Sequence, residues 1–308
     1  MIWRVLQLFI IIGLTVAVQA QEPVREQLKH QQEQEGLTLA TFDFGEFKTI
    51  EFASRSFKLR STKVNSKGGL EEGVVSRDGE KVAFHLSFGH PYREYLAIAR
   101  SDGSGLEEYP SIISPSFYCW SNDKSRLALN AAAHGQHHGE LLVIDLNSKA
   151  TDEIESGAHV TSQCWSPDDK QIVYGVGNRL RIYDLGEKKS RELAEGTWPT
   201  WSPDGNWIAF YAENDHAYFA IRPSGGERKR LFKQKGTRTG LWWSPDCNVV
   251  AYMCLGGKHE SHRDFDFPTR QLRVRRVADN SDDWILAEPD VAYVPNYQWV
   301  LPVESKSK

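Results

Sequence analysis

A short motif recurs five times along this 308-residue chain and constrains its fold more than any other feature. Each copy has a serine that follows Trp or Val and opens a turn rich in Pro, Asp and Gly. The serines are Ser76, Ser121, Ser166, Ser202 and Ser244, at intervals of 45, 45, 36 and 42 residues. A repeat of this length, with several short strands in each unit, is typical of the blades of a β-propeller. The sequence therefore predicts an all-β propeller of four-stranded antiparallel blades.

The physical chemistry of the motif supports this prediction. In Ser202-Pro203-Asp204-Gly205, Ser suits the first position of a tight turn, Pro presets φ, Asp tolerates the third position, and Gly supplies a positive φ. A strand that is apolar or alternating follows each turn, and four of the five strands carry β-branched and aromatic residues. The motif aspartates are Asp78, Asp123, Asp168, Asp204 and Asp246. The tryptophans that we expect to pack between blades are Trp120, Trp165, Trp201, Trp243 and, near the C-terminus, Trp299.

The Trp-Ser-Pro-Asp-Gly pattern resembles the WD-type repeats of the TolB-like propeller family over about residues 41–308. The resemblance implies an envelope protein whose loop face and central channel bind protein partners. It covers the propeller alone, because only the polar residues 21–36 stand where TolB carries an α/β domain. The chain also departs from the repeat pattern at Arg77 and Asn122, in place of Pro, and at Lys124, Asp169 and Cys247, in place of Gly. We expect those turns to be more strained.

The two ends of the chain are predicted to share one blade. The average interval of 42 residues accommodates six units between residues 41 and 308. Trp299 would lie on the innermost strand of the sixth blade, and residues 39–44, 47–53 and 57–61 would supply its other three strands. Such closure removes exposed sheet edges. A ring of five blades with loose ends is the alternative.

The first twenty residues have the features of a signal peptide. Arg4 supplies the positive charge, residues 5–18 form a nearly unbroken apolar run, and Ala20 is suited to the cleavage site. The alternative is a membrane anchor, although the apolar run is shorter than the ~20 residues of a spanning helix. We interpret residues 1–20 as a signal peptide, 21–38 as a polar linker and 39–308 as the propeller. The mature protein is then periplasmic or secreted, without a transmembrane anchor.

The charge distribution limits the classes of partner. The formal net charge is −4, and acidic and basic residues are well mixed along the chain. This distribution argues against a nucleic-acid surface, which requires clustered Lys and Arg. We expect a monomer that binds a protein or peptide partner.

Most histidines are predicted to share one face of the propeller. The loops between the second and third strands and those between blades lie on the face opposite the Ser-Pro-Asp-Gly turns, and loops commonly carry function. We therefore interpret this loop face as a candidate ligand- or partner-binding face. Its histidines are His90, His134, His137, His138, His159, His216, His259 and His262.

Some of these histidines have metal-ligand chemistry. His and carboxylate side chains suit Zn²⁺, and His-x-x-His-His on a loop can place two imidazoles on one ion. The candidate ligands are His134, His137, His138, His259, His262 and Asp264. Polar residues are ordinary in exposed loops, and we favour that interpretation. The sequence thus indicates no cofactor, with a divalent metal as the alternative.

The sequence favours a binding scaffold over an enzyme. It has no Gly-x-Ser-x-Gly nucleophile motif, and we assign no catalytic residue. The alternative function is a metal-dependent hydrolase or lactonase that uses the propeller channel.

Four cysteines remain, and their even number in an oxidising compartment permits disulfides. Cys119 and Cys164 occupy equivalent positions in adjacent repeats, directly before Trp. A bridge requires Cα atoms within ~7 Å, and neighbouring inner strands splay apart. We therefore expect free, buried thiols.

Overall fold

The computed structural model describes residues 38–43, 46–53, 56–63, 69–88, 93–133, 140–156, 160–234, 241–262, 265–277, 283–287 and 298–300. Side chains are described within 73–87, 94–131, 140–156, 162–234 and 241–254, and for residues 160, 273 and 275–277. All the secondary-structure elements assigned to these residues are β-strands, which confirms the predicted all-β class. The predicted signal peptide and nearly all of the predicted linker lie outside the described residues.

The largest sheet contains the first ten strands and the last. One long strand, β7, ends one antiparallel meander and begins the next, because residues 107–113 pair with β6 and residues 112–120 pair with β8. The strands are β1 (Thr38–Asp43), β2 (Glu46–Ala53), β3 (Ser56–Lys63), β4 (Gly69–Val75), β5 (Lys81–Phe88), β6 (Arg93–Arg100), β7 (Glu107–Trp120), β8 (Arg126–Ala133), β9 (Glu140–Asp145), β10 (Thr151–Glu155) and β23 (Gln298–Val300).

The remaining strands form three sheets of four, each an antiparallel meander in chain order. They are β11 (Val160–Trp165), β12 (Gln171–Val176), β13 (Arg179–Asp184) and β14 (Lys189–Glu195); β15 (Thr197–Trp201), β16 (Ile208–Ala212), β17 (Ala217–Ile221) and β18 (Arg228–Lys233); and β19 (Leu241–Trp243), β20 (Val249–His262), β21 (Phe265–Arg276) and β22 (Asp283–Ala287).

The two ends of the chain pair with each other. β23 is antiparallel to β1, with Trp299 opposite Leu39, and β1 continues into β2 and β3. This is the terminal pairing that the sequence predicts. The total of six blades stays a prediction, because strand pairing alone does not show how the eleven-stranded sheet divides into blades.

The first strands of successive meanders contact one another in chain order. β4 contacts β7, β7 contacts β11, β11 contacts β15, β15 contacts β19, and β19 contacts β23. Inner strands arranged in this way surround the channel of a propeller. The residues at the ends of these strands therefore lie at the mouths of the channel.

Burial decreases from the middle strands to the outer strand wherever the side chains of the outer strand are described, at β10, β14 and β18. All five residues of β16 are buried, so its sequence IAFYA is apolar throughout rather than alternating. The outer strand β14 (KSRELAE) is largely exposed. A strand with neighbouring sheets on both faces must be apolar on both faces, whereas an outer strand meets water.

The four described motif tryptophans are buried between neighbouring sheets. Trp120 packs with Val74 and Leu96 of the preceding sheet unit and with Leu127 of its own. Trp165, Trp201 and Trp243 have equivalent surroundings. The indole N–H groups differ, however. Trp165 Nε1 donates to the Cys119 carbonyl oxygen at 3.0 Å, whereas Trp201 Nε1 is buried without a partner among the described residues.

This difference yields a matched pair of variants. Trp165→Phe loses a part-buried hydrogen bond in addition to packing, whereas Trp201→Phe removes a donor that has no described acceptor. Because a hydrogen bond contributes about 0.5–1.5 kcal/mol net, Trp165→Phe should destabilise the protein by about 1 kcal/mol more than Trp201→Phe. Urea denaturation followed by circular dichroism measures the difference. Equal losses would contradict the assigned role of the Cys119 carbonyl.

Candidate functional site

The five motif turns share one hydrogen-bonded structure. In the turn of β15 and β16, the buried Ser202 hydroxyl donates to Asp204 Oδ1 at 2.5 Å and accepts from the Trp207 N–H at 2.9 Å. The Gly205 N–H donates to the Ser202 carbonyl oxygen, which closes the turn. The same contacts recur at the turns that begin with Ser76, Ser121, Ser166 and Ser244.

Hydrogen bonds lower the pKa of four of the turn carboxylates. The Ser166 hydroxyl lowers the pKa of Asp168, partial burial opposes it, and the Lys170 N–H adds to the lowering. At Asp78, Asp123 and Asp204, burial raises the pKa but hydrogen bonds outweigh it, so the net direction is again downward. The largest of these hydrogen bonds comes from Lys124 of the next turn at Asp78, and from the serine of the same turn at Asp123 and Asp204. The motif aspartates therefore act as fixed acceptors within their turns.

The fourth residue of each turn has a positive φ whether or not it is glycine. Lys124, Asp169 and Cys247 have φ of 63°, 57° and 62°, close to the 73° of Gly205. A side chain in this left-handed region strains the backbone. The strain predicted from the sequence is therefore present, and each of the three side chains makes a contact that glycine cannot make.

The contacts of these off-pattern residues run from one turn to the next. Arg77 donates to Asn122 Oδ1 at 3.0 Å. The Asn122 N–H and side-chain amide donate to Asp169 Oδ1 at 2.7 and 2.9 Å, and the Asp123 N–H donates to Asp169 Oδ2 at 2.9 Å. Side chains from three successive sheet units are thereby joined across the turn face.

Two further contacts extend this arrangement. The Lys124 ammonium forms an ion pair with Asp78 of the preceding turn. Cys247 lies against Asp204 of its preceding turn; burial raises the pKa of the Cys247 thiol, and the negative charges of Asp204 and Asp246 raise it further. We call the inter-turn contacts of Arg77, Asn122, Lys124, Asp169 and Cys247 the turn belt.

A cavity of about 110 Å³ lies at the centre of this face, where the first strands end. Its walls are mostly Trp and Pro, with the Arg77–Asn122 pair, two cysteines and Thr200 among them. The lining residues are Arg77, Cys119, Trp120, Ser121, Asn122, Cys164, Trp165, Pro167, Thr200, Trp201, Ser202, Pro203, Trp242, Trp243 and Pro245. We call it the mouth cavity.

An aromatic pair lies deeper in the channel. Phe117 of β7 and Trp198 of β15 meet edge to face, with ring centroids 5.7 Å apart. β11 lies between β7 and β15 in the ring of inner strands. The two side chains therefore meet across the channel-facing side of β11. Each residue lies three positions before a motif tryptophan, about 10 Å along the strand. The pair narrows the channel behind the mouth cavity.

Backbone irregularities aim these two rings inward. Phe117 and Trp198 have φ of 51° and 56°, and the strand register shifts at both places. β-Bulges of this kind redirect side chains and are common near functional sites. Nothing in the sequence pattern singled these residues out, because a bulge depends on how the partner strand pairs.

His216 is the one predicted loop-face histidine whose side chain is described. It is exposed in the turn between β16 and β17, as expected, with Nδ1 3.5 Å from the Tyr211 hydroxyl, and its carbonyl oxygen accepts from the Gln234 N–H. A cavity of about 50 Å³ beside it is lined by Asn178, Glu195, Gly196, Ala212, Glu213, Asn214, Asp215 and Arg228, and Arg228 pairs with Asp215 at 3.1 Å.

The other candidate histidines are placed in part or not at all. His90, His134, His137, His138, His159 and Asp264 lie outside the described residues. His259 and His262 were expected in a loop, but the structure includes both in β20, whose pairing with β21 extends to His262 opposite Phe265. The long hairpin arises because cross-strand pairing continues past the register shift between Leu255 and His259.

The described residues provide neither a cluster of metal ligands nor a membrane-spanning helix. They contain no group of three or more His, Cys, Asp or Glu side chains that could hold a metal ion. None of them belongs to a helix with the length and apolarity that crossing a bilayer requires.

Known structures share this fold. TolB from Acinetobacter baumannii matches with a TM-score of 0.59 and 14% identity, over 86% of this chain and 66% of that one. A structure assigned as TolB from Agrobacterium tumefaciens matches with a TM-score of 0.61 and 15% identity, over 87% of this chain and 99% of that one. An oligogalacturonate lyase in complex with manganese matches with a TM-score of 0.53 and 13% identity, over 83% and 80% of the two chains. No protein-family model matches the sequence.

The meanders, the ring of inner strands and these matches define a β-propeller. Its fold is the TolB-like one that the repeat predicted. The chain spans about two thirds of the Acinetobacter TolB chain, and at this level of identity the similarity concerns the fold.

The turn belt yields a second matched pair of variants. Lys124→Gly removes the strain of a non-glycine residue in the left-handed region, which is worth about 1 kcal/mol. It also loses a partly exposed ion pair worth about 0.2–1 kcal/mol. The free energy of unfolding should therefore stay equal or rise. Asp169→Gly loses three hydrogen bonds to a carboxylate and should cost about 2 kcal/mol. Thermal and urea unfolding measure both. A loss for Lys124→Gly as large as that for Asp169→Gly would contradict this ranking.

Proposed function

We propose that this protein is an exported TolB-like propeller that binds a protein or peptide partner in the cell envelope. The observation that carries the proposal is the mouth cavity. At about 110 Å³ it is well below the ~300–1,000 Å³ of a typical small-molecule site, so it suits one inserted side chain or chain end.

The chemistry of the cavity walls supports a peptide ligand. Trp242 and the turn prolines offer apolar surface, and Arg77 places a positive charge beside it. Aromatic and Arg side chains dominate the energetics of protein interfaces. The phenyl and indole rings of Phe117 and Trp198 limit how far an inserted group can travel. Export rests on the predicted signal peptide and on the resemblance to TolB-like proteins, and it stays a prediction.

The test begins with a partner identified by mass spectrometry after capture from a native envelope extract. The affinity of the purified partner is then measured for the unaltered protein, Arg77→Gln, Trp242→Ala and Arg230→Ala. Arg230 is exposed on the outer strand β18 and serves as the control. We expect the first two variants to weaken binding roughly 10- to 100-fold and the control to leave it unchanged.

Unfolding curves of the same variants show whether weaker binding comes from a lost contact with the partner or from a loss of folding. Arg77→Gln and Trp242→Ala should remain cooperatively folded, because both residues lie at the rim of the inner strands and are only half-buried. Equal affinity of all four proteins for the partner would show that the partner binds outside the mouth cavity.

The second candidate is a metal-dependent hydrolase or lactonase. The fold shared with an oligogalacturonate lyase in complex with manganese favours it. Its metal ligands would be His134, His137, His138, His259, His262 and Asp264, whose side chains lie outside those the structure describes. Thermal unfolding with and without Mn²⁺ or Zn²⁺ tests it. An upward shift in the unfolding temperature that His137→Ala abolishes would support the metal-dependent enzyme. An unchanged unfolding temperature would exclude it.

A further inference from the structure

Two cysteines stand at the same position in neighbouring inner strands. Cys119 precedes Trp120 at the end of β7, and Cys164 precedes Trp165 at the end of β11. The equivalent position holds Val74, Thr200, Trp242 and Gln298 in the other inner strands. A pair of thiols therefore occurs at one junction between sheets, and the turn belt crosses the same junction.

The junction brings the two thiols together. β7 contacts β11, and the indole of Trp165 reaches back to the Cys119 carbonyl oxygen at 3.0 Å. Both cysteines line the mouth cavity from these two adjacent strands. All four cysteines are unbridged in the structure.

Neither cysteine of the pair is fully buried. Cys119 and Cys164 are only partly buried, which corrects the expectation of buried thiols, and both line the mouth cavity. Cys254, by contrast, is buried within β20, and Cys247 lies away from the pair against Asp204. The chain thus provides one accessible pair and two separate thiols as internal controls.

The two members of the pair differ in acidity. The hydrogen bond from Cys119 lowers the pKa of Cys164, with burial opposing and the positive charge of Arg77 assisting. The same contact and then burial raise the pKa of Cys119. Because the thiolate is the nucleophile in disulfide exchange, Cys164 is the residue that reacts first.

We propose that Cys119 and Cys164 form a redox-active pair that closes to a disulfide between β7 and β11 by exchange with a small-molecule disulfide. The Cys164 thiolate attacks one sulfur of the reagent, forms a mixed disulfide and releases one reagent thiolate. Cys119 loses its proton to solvent, and its thiolate attacks Cys164 Sγ, which expels the second reagent thiolate.

The balance of this reaction is complete. Two protein thiols are oxidised, the reagent disulfide is reduced to two thiols, and the two protons from the cysteines pass to the released thiolates. The bridge would fasten two inner strands at the edge of the mouth cavity. Oxidation and reduction would therefore change both the stability of this junction and the shape of the cavity.

The test exposes the folded, purified protein to oxidised glutathione and follows it by intact mass and thiol titration. We expect loss of two hydrogen atoms and two titratable thiols, and a non-reduced peptide map that links the segments containing Cys119 and Cys164. Cys119→Ser should accumulate a glutathione adduct at Cys164. Cys164→Ser should react roughly tenfold more slowly. Cys247→Ser should behave like the unaltered protein.

Folding of every variant is checked by circular dichroism and thermal unfolding, and Cys→Ala versions repeat the assay where a serine variant is unstable. Retention of all four thiols after oxidation would overturn the proposal. So would a glutathione adduct that persists in the unaltered protein as strongly as in Cys119→Ser, because it would show that the second thiol cannot reach the first. Neither outcome bears on partner binding.

Discussion

The structure depends on the hydrogen bond between a buried serine hydroxyl and the aspartate two residues later. Ser202 and its counterparts have almost no exposed surface, yet each hydroxyl is fully used, as donor to the carboxylate and as acceptor from the first N–H of the next strand. A buried hydroxyl without such partners would destabilise the fold. The same contact fixes where the inner strand ends, and therefore places the preceding tryptophan between two sheets.

Because the turns are built alike, small differences between them become contacts between sheets. Side chains at the second and fourth turn positions point toward the neighbouring turn, so Asn122 and Asp169 meet although they are 47 residues apart in sequence. The strain of a left-handed non-glycine residue is then offset by bonds across the junction. The repeat units therefore differ in the side chains of their turns, and these differing turns surround the mouth cavity.

The fold by itself does not name a function. TolB and a manganese-containing oligogalacturonate lyase share it with this chain at low identity, so activity must be argued from particular sites. The mouth cavity, with its Trp and Pro walls and the charge of Arg77, favours a binding role. The thiol pair adds a chemical property to the same region, because both cysteines line the mouth cavity.

The repeat alone determined the all-β class, the position of every motif turn and the tryptophans between sheets, since turn chemistry and hydrophobic patterning are local properties. The number of repeat units predicted the pairing of the chain ends, because it leaves part of one unit at each end of the chain. Tertiary structure decided what lies at the channel: the inter-turn contacts of Asp169, the meeting of Phe117 with Trp198 and the approach of Cys119 to Cys164. It also decided that β20 continues through His259 and His262, where a loop was expected. Each of these depends on which residues distant in sequence become neighbours, and that is set by strand register and by the angle between sheets.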